Sequence, residues 1–157
     1  MVRRVSGTLL DTSVLIAFGD DHDLDLPASA AISVITLGEL RAGVVRARDG
    51  RTRAARQARL TAVRAAFAPL LVDESVAEHY GDALAHARGE GRSVKATDLL
   101  IIATASATGR TLHTLDRAQA GLARELGLAV SGVDPRVSDR RPRGVAGDVD
   151  GSLDHRR

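Results

Sequence analysis

Apolar residues along this chain fall into two kinds of run, and the two kinds alternate. Short runs have the length and content of buried strands: Thr8-Leu9-Leu10, Ala30-Ala31-Ile32-Ser33-Val34-Ile35, Leu70-Leu71-Val72, Thr111-Leu112-His113-Thr114 and Leu128-Ala129-Val130. Between them apolar positions recur at helical spacing. Val14 to Phe18 follows the helix-start residues Asp11-Thr12-Ser13 and stops near Gly19. Leu37, Leu40 and Val44 form a second stripe, with Thr36 as its expected N-cap and Glu39 at the spacing of a capping box. A third helix is predicted over 54–68, with Leu60, Val63 and Phe67 on one face and Pro69 ending it. Ser75 is the expected cap of a fourth, carrying Val76, Tyr80, Leu84 and Ala87 and closed by Gly89-Glu90-Gly91. A last stripe, Ala118, Leu122 and Leu126, ends at Gly127, a C-cap candidate.

The stretch Ala96-Thr97-Asp98-Leu99-Leu100-Ile101-Ile102-Ala103-Thr104-Ala105 breaks the amphipathic rule. Leu99 to Ile102 point four ways around a helical wheel, so this helix must be covered on most sides. One carboxylate, Asp98, sits in its first turn, where a charge needs a partner or water. Strands alternating with helices imply an α/β fold: a three-layer α/β/α sandwich with a mainly parallel central sheet. Residues 1–134 make one domain on this pattern. Residues 135–157 are polar and aperiodic, and are expected to be a disordered tail.

Composition narrows the chemistry. The chain of 157 residues has no cysteine, which excludes disulfides and thiolate metal sites. No apolar run approaches the ~20 residues of a membrane span, and the N-terminus is a poor signal peptide. A cytoplasmic protein with no membrane partner is expected. The net charge of +2 is unevenly placed. Residues 40–64 hold eight arginines against the single acid Asp49, a local +7, and Lys95 is the only lysine. Such a basic arm can attract phosphates or an acidic protein segment, although arginine-rich, alanine-rich composition also arises without a functional cause.

Open parallel sheets carry their sites beyond the carboxyl ends of the strands. Four acids from distant parts of the chain fall at that edge: Asp11 after the first strand, Glu39 one helical turn after the second, Asp98 at the start of the apolar helix, and Asp116 after Thr111–Thr114. Each taken singly also serves as a helix cap or dipole partner. If they converge, they repel one another unless a hard cation joins them, and Mg²⁺ takes carboxylate oxygens while keeping waters. Carboxylate-bound Mg²⁺ on a basic-armed domain suggests phosphodiester hydrolysis.

Three segments and a fourth motif carry a resemblance. Leu9-Leu10-Asp11-Thr12-Ser13-Val14-Leu15-Ile16, Ile35-Thr36-Leu37-Gly38-Glu39-Leu40-Arg41-Ala42-Gly43, Ala96-Thr97-Asp98-Leu99-Leu100-Ile101-Ile102-Ala103 and Leu112-His113-Thr114-Leu115-Asp116-Arg117 resemble, in order, the motifs of PIN-domain ribonucleases. Within that family they are most similar to the VapC toxins of bacterial toxin–antitoxin pairs. The resemblance runs from about Thr8 to Val133. It implies a PIN-like fold and a Mg²⁺-dependent (or Mn²⁺-dependent) endoribonuclease. Asp11, Asp98 and Asp116 would hold the metal, and Glu39 would position or deprotonate the attacking water. Ser13 and Thr114 would orient carboxylates, as metal sites generally require. It also implies RNA as substrate, an inhibitory antitoxin partner, and homodimers and toxin–antitoxin hetero-oligomers. His113 stands where an aliphatic residue is common and is expected on a sheet face, not at the metal.

Other classes fit less well. A phospho-accepting receiver domain would pair acids at the first strand end and place a lysine after the last strand, whereas Asp11 is alone and Lys95 lies elsewhere. A dehalogenase-type phosphatase would need an aspartate at position 13, where Ser13 stands. A non-catalytic PIN-like module that binds RNA or protein is the remaining alternative. With one tyrosine, two phenylalanines and no tryptophan, base stacking contributes little, so RNA contact would rest on arginine and phosphate.

Overall fold

The computed structural model describes residues 7–17 and 29–133. The expected stop near Gly19, the polar loop over 20–27 and the tail over 135–157 lie outside the described residues. Ten elements follow in the order β1 (Thr8–Leu10), α1 (Thr12–Ala17), β2 (Ala30–Ala31), α2 (Val34–Val45), α3 (Gly50–Ala66), α4 (Glu74–Gly89), α5 (Ala96–Ala107), β3 (Thr111–His113), α6 (Arg117–Glu125) and β4 (Val130–Ser131). The four strands form one sheet in the order β2-β1-β3-β4, and every pairing is parallel.

Side chains alternate across the strands and feed two cores. Leu9, Ala31 and Leu112 face a cluster built with Ala83 of α4, Leu99, Ile101, Ile102 and Ala105 of α5, and Leu122 and Ala123 of α6. Leu10, one residue on, faces the other way, into a cluster with Val14 and Leu15 of α1, Leu40 and Val44 of α2, and Leu60 and Val63 of α3. That is the three-layer sandwich expected from the pattern. The apolar helix α5 is buried along most of its length: Leu99, Ile101, Ala103 and Ala105 are each 0% exposed.

Several boundaries differ from the sequence expectation, and the reason is mostly a cap one turn away. The predicted strand over 30–35 stops at Ala31, because the Ser33 hydroxyl accepts the Ile35 amide (3.2 Å) and starts α2 there. Thr36 is therefore inside the helix instead of capping it, and its hydroxyl is buried without a hydrogen-bond partner among the described residues. Helix α3 begins at Gly50, not Ala54, because the carboxylate of Asp49 takes both the amide and the hydroxyl of Thr52 at 2.8 Å and so caps the helix. Asp73, not Ser75, caps α4 through the Val76 amide (2.9 Å). Leu70-Leu71-Val72 is no strand: only Leu70 bridges, to Ser33. The last strand starts two residues later and ends one residue later than expected, at Val130–Ser131.

Candidate active site

Strands β1 and β3 are neighbours in register, with Leu10 opposite His113. The residues that follow them therefore emerge side by side at the carboxyl edge of the sheet. Asp11 follows β1 with its amide bonded to the His113 carbonyl (2.9 Å). Thr114 follows β3 and is fully buried. Gly132 holds this edge from the β4 side: its φ is +93°, and a Cβ there would fall 2.5 Å from the Thr114 carbonyl oxygen, so a side chain cannot be accommodated without a shift.

Asp11 is 5% exposed, and its charge is met by four donors. Its Oδ2 accepts the Ser13 hydroxyl (2.6 Å), the Ser13 amide (3.2 Å) and the Thr114 hydroxyl (3.1 Å). Its Oδ1 accepts the Gln119 side-chain amide at 3.3 Å. Ser13 and Thr114 thus both donate to the same carboxylate oxygen. Ser13 Oγ in turn accepts the Leu115 amide (3.0 Å), and Thr114 Oγ1 accepts the Asp116 amide (3.0 Å), which ties the turn after β3 to Asp11.

Asp116 caps α6, with Oδ1 accepting the Gln119 amide at 3.0 Å. Glu39 leaves the second turn of α2, and its Oε2 accepts the Thr12 hydroxyl in a short hydrogen bond. It is not half of a capping box with Thr36; its partner comes from α1, 27 residues away in the chain. Asp98 lies in the first turn of α5, half-buried, and its side chain accepts no hydrogen bond among the described residues. Burial pushes its pKa above the ordinary aspartate value, and the negative charges of Asp116, Glu39 and Asp11 push it the same way, while Lys95 pulls it down. All four predicted acids therefore lie within electrostatic reach of one point, although among the described residues no three acids or histidines stand close enough to hold one ion together. Oxygen donors alone, with like charges unneutralised around Asp98, are the chemistry that suits a hard divalent cation. Mg²⁺ needs only one or two carboxylates beside water and substrate phosphate.

Basic residues border the acids. A cleft of about 520 Å³ is lined by Glu39, Ala42, Gly43, Arg46 and Arg56, and another of about 270 Å³ shares Glu39, Gly43 and Arg56 and adds Ile16, Leu40 and Arg59. The Arg56 guanidinium is anchored by the Gly43 carbonyl (2.6 Å), so its position beside Glu39 is set by the α2–α3 hairpin. Two histidines are paired outside this edge: His113 bonds Ser131 (2.9 Å) and His79 bonds Ser106 (3.1 Å).

Two polar contacts of the site were not singled out from the sequence. Thr12 was assigned only to the start of α1, and nothing local links it to Glu39. Gln119 sits three residues after the cap Asp116, and that spacing was the one available signal.

An all-parallel sheet with helices on both faces and acids gathered at the strand-exit edge defines an α/β domain of the acid-rimmed type. The PIN domain family profile matches residues 8–125. The chain is 44% identical over 100 residues to ribonuclease VapC8 of Mycobacterium tuberculosis, covering 62% of this chain and 88% of that protein. It is 38% identical over 111 residues to ribonuclease VapC5 of the same organism, covering 69% of this chain and 82% of the relative. The crystal structure of the VapBC-5 toxin–antitoxin system of M. tuberculosis superposes with a TM-score of 0.67 at 35% identity, over 81% of this chain and 96% of the matched chain. The chain belongs to the PIN-domain family, in its VapC-type ribonuclease branch.

Proposed function

We propose that this chain is a Mg²⁺-dependent endoribonuclease and the toxin of a toxin–antitoxin pair. The observation that carries the reading is Asp98: a half-buried carboxylate at a helix start, with three further acids from separate elements raising its pKa. Such an accumulation of like charge costs stability and is kept where a cation and a phosphate are to be bound. Asp98 and Asp116, with Asp11, would hold Mg²⁺. Mn²⁺ offers the same coordination chemistry. The metal supplies Lewis acidity that polarises the phosphodiester and makes water a better nucleophile.

The remaining roles belong to the chain itself. Glu39, steadied by Thr12, takes the proton from the attacking water. Ser13 and Thr114 keep Asp11 in one rotamer. Arg46 and Arg56 line the cleft beside Glu39 and bind backbone phosphates flanking the scissile bond. The named relatives are ribonucleases, and one matched structure is a toxin–antitoxin complex. A cognate antitoxin that covers the acid rim, within homodimers and hetero-oligomers, extends that likeness to this chain. No described helix is long and apolar enough to cross a membrane.

The spacing of the acids favours a second reading, a PIN-like module that binds RNA without cutting it. Total bacterial RNA incubated with the antitoxin-free chain separates the two. Discrete new ends that require Mg²⁺, vanish with EDTA and vanish in Asp98→Asn are expected. RNA left intact by folded wild-type protein assigns the chain to the binding module.

A further inference from the structure

We propose that Gln119 is a positioning residue of the acid site, holding the Oδ1 oxygen of Asp11 ready for a divalent cation. The inference rests on the metal-dependent reading above and adds to it a residue that none of the four motifs includes. Gln119 is 3% exposed, in the first turn of α6. The spacing Asp116-x-x-Gln119 is that of a capping box, in which the glutamine side chain would turn back to the amide of the cap residue. Here that amide is already taken by the Thr114 hydroxyl (3.0 Å). Only the other half of the box forms, from the Gln119 amide to Asp116 Oδ1 (3.0 Å). The side chain is released inward, and its Nε2 reaches Asp11 Oδ1 at 3.3 Å.

The carboxylate of Asp11 can only accept, so the donor end of the amide must face it. That leaves Gln119 Oε1 buried with no hydrogen-bond partner among the described residues. For packing alone this is a poor choice, since a methionine of similar volume would leave no acceptor unmet. The glutamine is accounted for by its donor. Three donors already crowd Asp11 Oδ2, whereas Oδ1 accepts only from Gln119 among the described residues. Oδ1 is thus the oxygen with capacity left for a cation, and Gln119 determines where it points.

The test is Mn²⁺ binding to the full chain without RNA, followed by electron paramagnetic resonance, alongside thermal unfolding. Q119M is expected to lower Mn²⁺ affinity by about 10-fold, the scale of losing a ligand-orienting hydrogen bond, with Tm equal to or above wild type. A fall of less than about threefold overturns the proposal, as does a fall matched by a lower Tm, which would make Gln119 a folding residue. Should Q119M fail to fold, Q119N, one methylene short of Asp11, takes its place under the same criteria. Wild-type protein that binds no Mn²⁺ overturns the metal reading and this inference with it. Wild-type binding with an unaffected variant overturns this inference alone.

Discussion

Two carboxylates of this domain are displaced in opposite directions, and the contrast separates architecture from chemistry. On the exposed side of α4 and α6, Glu125 accepts Arg92 (2.5 Å) and His86 (3.1 Å), and those partners, Arg92 foremost, hold its pKa below the ordinary glutamate range. At the strand-exit edge, Asp98 has no comparable partner among the described residues; burial and three other acids push its pKa up. The Glu125 carboxylate is exposed and already paired with two basic partners, so it asks nothing of a ligand. The edge around Asp98 is incomplete. Folding alone would not gather four acids there, and a cation with its phosphate would complete it. Asp11 stands between the two cases: deeply buried like a structural group, yet dressed by hydroxyls and amides instead of a counter-charge.

The sharpest way to break this contrast is Asp116→Asn. Asparagine caps a helix as well as aspartate, so α6 and Tm should be unchanged while Mg²⁺-dependent RNA cleavage falls by more than about 100-fold, beyond the range typical of residues that only orient ligands. Equal losses of Tm and activity would make Asp116 a cap and nothing more. Thr114→Val comes next. It removes a donor from Asp11 and strands the Asp116 amide, costing about 1–3 kcal/mol in denaturant unfolding and about 10- to 100-fold in cleavage.

A smaller effect, opposite in sign, is expected for the stability of Asp98→Asn. Because the folded-state pKa is raised, the unfolded chain binds fewer protons between the ordinary and the raised value, and wild-type stability falls as pH rises through that window. Asp98→Asn removes the cost, so its Tm should exceed wild type at pH 7, with the difference closing below the ordinary aspartate pKa of about 3.9. The smallest effect belongs to Glu125→Gln. The Glu125 pKa is lowered on folding, so its contribution is present above the ordinary value and lost as pH falls through the depressed one. Being exposed, it should move Tm by no more than about a degree at neutral pH and leave cleavage untouched.

Much of this was legible in the chain because the informative features were local. Asp11 and Asp116 could be read because each directly follows a short apolar strand, and the apolar wheel of Leu99 to Ile102 announced a covered helix with Asp98 at its mouth. The misreadings were also local, but ambiguous. Ser33 and Thr36 are both plausible caps, and only the bridge from Ser33 to Leu70 explains why the earlier one is used. Thr12 and Glu39 meet across 27 residues of chain, and Gln119 meets Asp11 across 108, distances at which periodicity carries no information. Gln119 was hidden more thoroughly, since its spacing from Asp116 matches a cap whose second bond Thr114 has taken.

The central claim is that four acids share one electrostatic site around Asp98. Its most direct test is a ¹³C-detected titration of the Asp98 carboxyl in the wild-type chain and in Asp116→Asn. The account predicts a wild-type midpoint above the ordinary value of about 3.9, moving down when the Asp116 charge is removed and down again on addition of Mg²⁺. An Asp98 that titrates at or below the ordinary value, indifferent to both Asp116 and Mg²⁺, would contradict it.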